Sequence, residues 1–201
     1  MSALSNGKSL SMHNEAIWKG TYTNNGMLLK IHEHDYTIGY SNLLTPDGKG
    51  AGTVKFGDGV FYNAKEKNNK VYAGAPTTDS AVAKFAGIVV RDPAIASGYP
   101  AINDEIAQFQ KGMLAKEGFI VYKEAFVVGN SPATLPEAKT NVYDGVTIGY
   151  QMVVSSSNGA VYFAPTTGDK VAETDVVVGK VIELNPDDKS VTVYITPAIY
   201  A

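Results

Sequence analysis

His32-Glu33-His34-Asp35 is the stretch whose residue types and spacing could hold a metal, because residues two apart on a strand share a face and both imidazoles would point the same way. Two ligands do not make a site. His13 is the only other histidine, and of the nearby carboxylates Asp35 alternates to the opposite face, leaving Glu15 as a third ligand. A solvated, polar strand edge is the favoured reading; a metal-dependent enzyme using His32 and His34 is the alternative. Gly48, Gly50 and Gly52 lack the spacing of a dinucleotide fingerprint and precede a strand, whereas phosphate binding needs a helix N-terminus there, so they read as a flexible loop. Ser155, Ser156 and Ser157 stand in a turn without the glycine-flanked elbow of a hydrolase nucleophile. Cysteine is absent, which removes disulfides, thiolate nucleophiles and cysteine metal sites. Nothing here calls for a cofactor or for catalysis.

The elements that would carry these residues are strands. The 20 glycines and 9 prolines fall mostly between short runs rich in Val, Tyr, Thr and Ile, which is an all-β pattern. With 201 residues, 44% of them hydrophobic and 18% charged, the chain can bury one sizeable core or two small lobes sharing one. The expected fold is mainly β, an antiparallel barrel or sandwich with at most one or two short helices. Net charge is −3 and spread out, and Arg91 is the single arginine among 17 basic residues, so a nucleic-acid surface is not expected. No run approaches the length of a membrane span, and residues 1–13 lack the apolar core of a signal peptide, so the expected place of synthesis and assembly is the cytoplasm. Twelve tyrosines and Trp18 could line a glycan groove, but packing across strands is the favoured role for tyrosine in a β-protein.

Taken in order, residues 1–16 are small and polar and read as a flexible arm, followed by a β-rich domain over 17–201. Asn24-Asn25-Gly26 signals a hairpin between strands at 17–22 and 27–31, and Gly57-Asp58-Gly59 a second one between 54–56 and 60–62. Residues 85–90 are apolar throughout with a glycine inside, as in a strand buried on both faces or one with a close neighbour. Residues 103–117 fit a helix, with Ile106, Phe109, Met113 and Leu114 on one side, and fit equally two strands broken near Lys111-Gly112. Residues 129–141, with Pro132 and Pro136, read as a linker. The plainest hairpin joins 175–184 to 190–196 across Asn185-Pro186-Asp187-Asp188-Lys189, with Val191, Val193 and Ile195 facing the core and Thr192 and Tyr194 facing out.

The stretch over 70–93 has an echo ninety residues on. Val71-Tyr72, Ala75-Pro76-Thr77-Thr78 and Gly87 are matched by Val161-Tyr162, Ala164-Pro165-Thr166-Thr167 and Gly179, at offsets of 90, 89 and 92; Asp58-Gly59-Val60 and Asp144-Gly145-Val146 match at 86. An internal duplication with lobes at 17–128 and 142–201 would explain this; two similar β-turns are the alternative.

Phe85-Ala86-Gly87-Ile88-Val89-Val90-Arg91, the Ala94 to Pro100 turn ending Gly98-Tyr99-Pro100, and then Phe109-Gln110-Lys111-Gly112 resemble the structural cement proteins that decorate tailed-phage heads. The resemblance covers about residues 71–128. It implies a non-enzymatic, β-rich, oligomeric protein on the virion exterior, bound to the major capsid protein at junctions between its subunits. A homotrimer is the expected state, with a dimer second. The implied capsid contacts are the arm, with Ser2, Leu4, Lys8 and Leu10, together with Trp18 and Arg91. A glycan-binding module on the virion surface is the alternative from another class.

Overall fold

The computed structural model describes residues 21–22, 30–38, 53–66, 70–76, 83–90, 105–107, 111–128, 139–167 and 171–196. It is mainly β, with a path of hydrogen-bonded strands curled into a half-barrel. Around that path two rings of strands follow one plan. The first ring takes β2 (Lys30–Ile38), β4 (Gly59–Asn63), β5 (Lys70–Val71), β6 (Ala83–Val90) and the first half of β8 (Lys111–Tyr122). In it β2 pairs antiparallel with β8 and parallel with β5, Tyr72 just past β5 bridges Phe61 of β4, β4 pairs with β6, and β6 returns to β8.

The second ring takes the rest of β8 continued by β9 (Glu124–Val127), then β11 (Gln151–Val154), β12 (Val161–Ala164), β13 (Val176–Asn185) and β14 (Ser190–Ile195). Its pairings repeat those of the first. β8 runs antiparallel to β14, β9 lies parallel to β12, β12 pairs with β11, β11 with β13, and β13 with β14. β8 serves both rings, pairing with β6 through residues 113–115, with β2 through residues between 111 and 117, and with β14 through residues 118–122. Gly118, at φ 113°, lies between them, in the left-handed region that glycine enters without strain.

The echo read in the sequence falls on equivalent positions. Val60 faces Gly87 and Met152 faces Gly179, and in each ring the register then slips by one residue at a β-bulge. These glycines do the same work. A Cβ on Gly87 would stand 3.0 Å from the Ala115 carbonyl oxygen, and one on Gly179 would stand 2.3 Å from that of Tyr194, the residue that occupies Ala115's place in the second ring. The Asp-Gly-Val part of the echo is not structural: Asp58 leads into β4, whereas Asp144 and Gly145 lie in α1 (Val142–Gly145), the single helix among the described residues. The two rings meet within β8.

Equivalent strands face different surroundings. Val60, Ala86, Val89 and Leu114 line the inside of the first ring with Val54 and Phe56, while Phe61, Phe85, Ile88, Val90 and Ala115 on its outer side join the core of the second ring. This is why residues 85–90 are apolar without alternation: both faces of β6 are buried. The second ring keeps apolar residues inside, among them Met152, Phe163, Val181 and Val193, but carries exposed Lys180 where the first has Ile88.

Several local expectations are corrected. Residues 105–107 and 111–122 are strands β7 and β8, so the helix at 103–117 does not form; long-range pairing to four other strands outweighs a helical face interrupted by Gly112. The hairpin expected between 17–22 and 27–31 lies mostly outside the described residues, and the one expected between 54–56 and 60–62 does not pair as a hairpin. β1 (Thr21–Tyr22) lies on β8, and β3 (Thr53–Lys55) pairs with β7 (Glu105–Ala107). The 175–196 hairpin forms as expected, with Val191, Val193 and Ile195 fully buried, but Thr192 is also buried, its hydroxyl held by Asn185 and Glu183. The remaining strand, β10 (Lys139–Asn141), extends the sheet beyond β9, held in part by an ion pair of Lys139 with Glu124 at 3.0 Å.

Candidate functional site

Among the described residues a set of polar contacts with a long reach along the chain lies where the rings meet. The turn between β11 and β12 is closed by backbone bonds from Ser155 N to Ala160 O and from Gly159 N to Ser155 O, and its outer side docks on the first ring. There Gly59 N donates to Gly159 O at 2.8 Å and Ala75 N to Ser156 O at 2.7 Å. Three glycines make the approach possible. A Cβ on Gly59 would meet Val154 at 2.4 Å, one on Gly74 the Ser157 carbonyl at 2.7 Å, and one on Gly159 the carbonyls of Gly59 and Ala73 at 2.2 and 2.5 Å.

Asp175 holds this turn from the other side. Its Oδ1 accepts from Ser156 N at 2.9 Å and Ser156 Oγ at 3.2 Å, and its Oδ2 accepts from the Tyr162 hydroxyl at 2.9 Å. Below the turn Tyr122 is fully buried, its ring edge-on to Phe163 and its hydroxyl donating to Gly57 O at 2.8 Å across 65 residues of sequence. In the first ring Tyr72, the counterpart of Tyr162, likewise donates to a carboxylate, Glu66 Oε2, at 2.9 Å.

These contacts make a clasp, and their chemistry is that of held protons. Burial, then the bond to Glu66 and its charge, pushes the Tyr72 hydroxyl up to about 12. Burial, then the bond to Asp175, raises Tyr162 well above the ordinary phenol range, and burial, then the charge of Asp58, does the same for Tyr122. In the unfolded chain all three ionise near 10. Each therefore contributes stability that is complete below about pH 10 and is lost as pH rises through the folded values. On alkaline titration followed at 295 nm, these three of the twelve tyrosines should stay protonated at about pH 11 and ionise together with the loss of the β-sheet circular dichroism signal. Smooth ionisation of all twelve with the fold intact would refute the assignment.

Of the residues singled out in the sequence, Ser2, Leu4, Lys8, Leu10, Trp18 and Arg91 lie outside the described residues, as do His13, Glu15 and the glycines at 48, 50 and 52. His32 and His34 lie on β2, with His32 paired in register with Leu114. Among the described residues no three His, Asp or Glu side chains group as metal ligands, and no helix is long and apolar enough to cross a membrane. The serine turn is where it was expected, but its hydroxyls are engaged with one another and with Asp175: Ser155 Oγ lies 2.9 Å from Ser157 Oγ. Tyr72, Tyr122 and Tyr162 are buried, which removes them from any sugar-stacking surface, and Tyr62, Tyr143, Tyr150 and Tyr194 are half-buried.

Sequence reading passed over Asp175, Tyr122 and Gly159. By position Asp175 is only the first residue of a strand. Their partners come from other strands, so no spacing announces them. In comparisons with known proteins, no family model matches the chain and no curated protein is significantly similar to it.

Proposed function

We propose that this chain is a capsid decoration protein of a tailed phage, which binds the outside of the expanded head at junctions between major capsid protein subunits and strengthens the shell. The observation that carries the reading is the motif over residues 85–112 described above, from Phe85 through Arg91 and Gly98-Tyr99-Pro100 to Lys111-Gly112. The fold supports it in kind. The motif's first part is β6, buried on both faces between the rings, and the polar groups of the clasp are engaged with one another. That construction suits a rigid scaffold for binding.

The protein acts without a cofactor, as a homotrimer with a dimer as the second choice, and meets neither nucleic acid nor membrane. Binding the expanded shell in preference to its precursor stabilises the shell by linkage: a ligand at a hundred times its Kd contributes about 2.7 kcal/mol per site. Many equivalent sites on one shell multiply the effect.

Co-sedimentation with empty expanded heads of the phage that encodes the chain tests this. Saturation at a fixed, symmetry-related ratio of copies per capsid subunit is the expected result, with weaker binding to unexpanded precursors. Deleting residues 1–15 should weaken binding about tenfold or more while leaving the thermal transition unchanged, as expected of an arm that adds contact area at an ordering cost. Failure of the intact chain to bind at micromolar concentration would end the decoration reading, and unchanged affinity of the truncated chain would end the arm's part in it.

A further inference from the structure

The turn that docks the second ring on the first carries reactive chemistry of its own. Asn158 and Gly159 are adjacent in it, and asparagine is among the chemically labile residues. An Asn-Gly step is the most labile setting, because the following backbone nitrogen reaches the side-chain amide with no Cβ to crowd its approach. The fold cannot give up that glycine. At φ 73° it lies in the left-handed region, and a Cβ there would stand 2.2 Å from the Gly59 carbonyl oxygen.

The two reacting groups stand in different surroundings. Asn158 is exposed, and its Oδ1 accepts from Ala160 N at 3.0 Å. That bond polarises the amide carbonyl and aims a backbone donor at the oxygen on which negative charge develops when Cγ is attacked. It spans three residues of the turn and needs nothing from the first ring. Gly159 N, the nucleophile, is guarded. Its hydrogen is donated to Ser155 O at 2.8 Å, and the residue is buried against the backbone of Gly59 and Ala73. Freeing it means lifting the turn from the first ring, with loss of the bonds from Gly59 N to Gly159 O and from Ala75 N to Ser156 O.

We propose that Asn158 is a self-modification site gated by the clasp. When the turn lifts, Gly159 N attacks Asn158 Cγ, the new C–N bond closes a succinimide, and the side-chain amide leaves as ammonia carrying the proton from Gly159 N. Water then opens the ring at either carbonyl, giving aspartate or isoaspartate; no oxidant or reductant takes part. In the succinimide Gly159 N has no hydrogen left for Ser155 O. In isoaspartate the main chain runs through Cβ, one atom longer, so Gly159 no longer fits between Gly59 O and Ala73 O while the turn keeps its closing bonds. The modified turn therefore does not dock again, and a transient opening of the clasp becomes permanent. No partner is needed for this.

Peptide mapping of the full chain by mass spectrometry, with isoaspartyl methyltransferase labelling, tests the site. The incubation is kept below about pH 10, where the clasp tyrosines stay protonated. In urea-unfolded chain Asn158 should convert readily, and in folded chain about tenfold or more slowly, because the reaction waits on local opening. Asp175→Ala removes the bonds to Ser156 N, Ser156 Oγ and the Tyr162 hydroxyl, and should speed conversion in the folded chain about tenfold or more. If that variant does not fold, Tyr162→Phe takes its place, with a smaller rise in the same direction. No conversion in the unfolded chain overturns the site. Equal rates in folded and unfolded chain, or a folded clasp variant no faster than the unaltered chain, overturn the gating. The isoaspartate fraction, separated by its added charge, should melt roughly 4 °C or more below an Asn158→Asp chain, which has the charge without the extra backbone atom. Equal Tm values would overturn the claim that the modified turn stays undocked.

Discussion

Replacing Gly159 by alanine should destabilise the protein by about 4 kcal/mol or more, among the largest effects a single methyl group can have. The φ of 73° alone costs an L-residue about 1–2 kcal/mol. The new Cβ would also stand 2.2 Å from the Gly59 carbonyl oxygen and 2.5 Å from that of Ala73, both backbone atoms of the first ring that cannot swing aside. Relief requires lifting the turn off that ring, which breaks the bonds from Gly59 N to Gly159 O and from Ala75 N to Ser156 O. For a chain of this length the loss corresponds to a fall of roughly 8–16 °C in Tm. Gly149→Ala is the matched control, since Gly149 has φ 94° but nothing within 4 Å of an added Cβ, so it should cost only the conformational part, about 1–2 kcal/mol. Equal losses for the two variants would mean that the turn does not clasp the rings as described.

The second large effect is expected at Tyr122. Tyr122→Ala should cost about 3–5 kcal/mol, because it empties a fully buried site against Phe163 in the core shared by the two rings. Tyr122→Phe keeps the ring and removes only the hydroxyl, leaving Gly57 O without its donor, and should cost about 1–3 kcal/mol. Urea unfolding of both variants separates packing from hydrogen bonding. Tyr122→Phe should also remove one late-ionising group from the alkaline titration. A neutral Tyr122→Phe would show that Gly57 O finds another donor or water, and the bond would then not be part of what holds the rings together.

Parts of this architecture were legible residue by residue. The unbroken apolar run over 85–90 announced burial on both faces, and β6 has it. The alternation of Val191, Val193 and Ile195 and the turn chemistry of residues 185–189 announced the β13–β14 hairpin, because both are local signals. The spacing from Gly87 to Gly179 pointed to equivalent places, and each glycine lets the fifth strand of its ring approach closely. The candidate site was not legible in the same way. Asp175 reaches Ser156 and Tyr162 from 19 and 13 residues away, and Tyr122 reaches Gly57 from 65.

By itself, then, the sequence determined that this protein is built of strands, that β6 and the core face of β14 are buried, where the β13–β14 turn falls and that one stretch of it has a counterpart. All of these follow from side-chain period, β-propensity and turn residues within a few positions of one another. Only the tertiary structure decided that β3 pairs with β7, that β1 lies on β8, that β8 is divided between two rings at Gly118, and that Thr192 is buried on the face expected to meet solvent. Each of those depends on which distant surfaces meet. A strand's own residues state what it can bury, and the choice of partner is settled by closing the rings and packing one against the other.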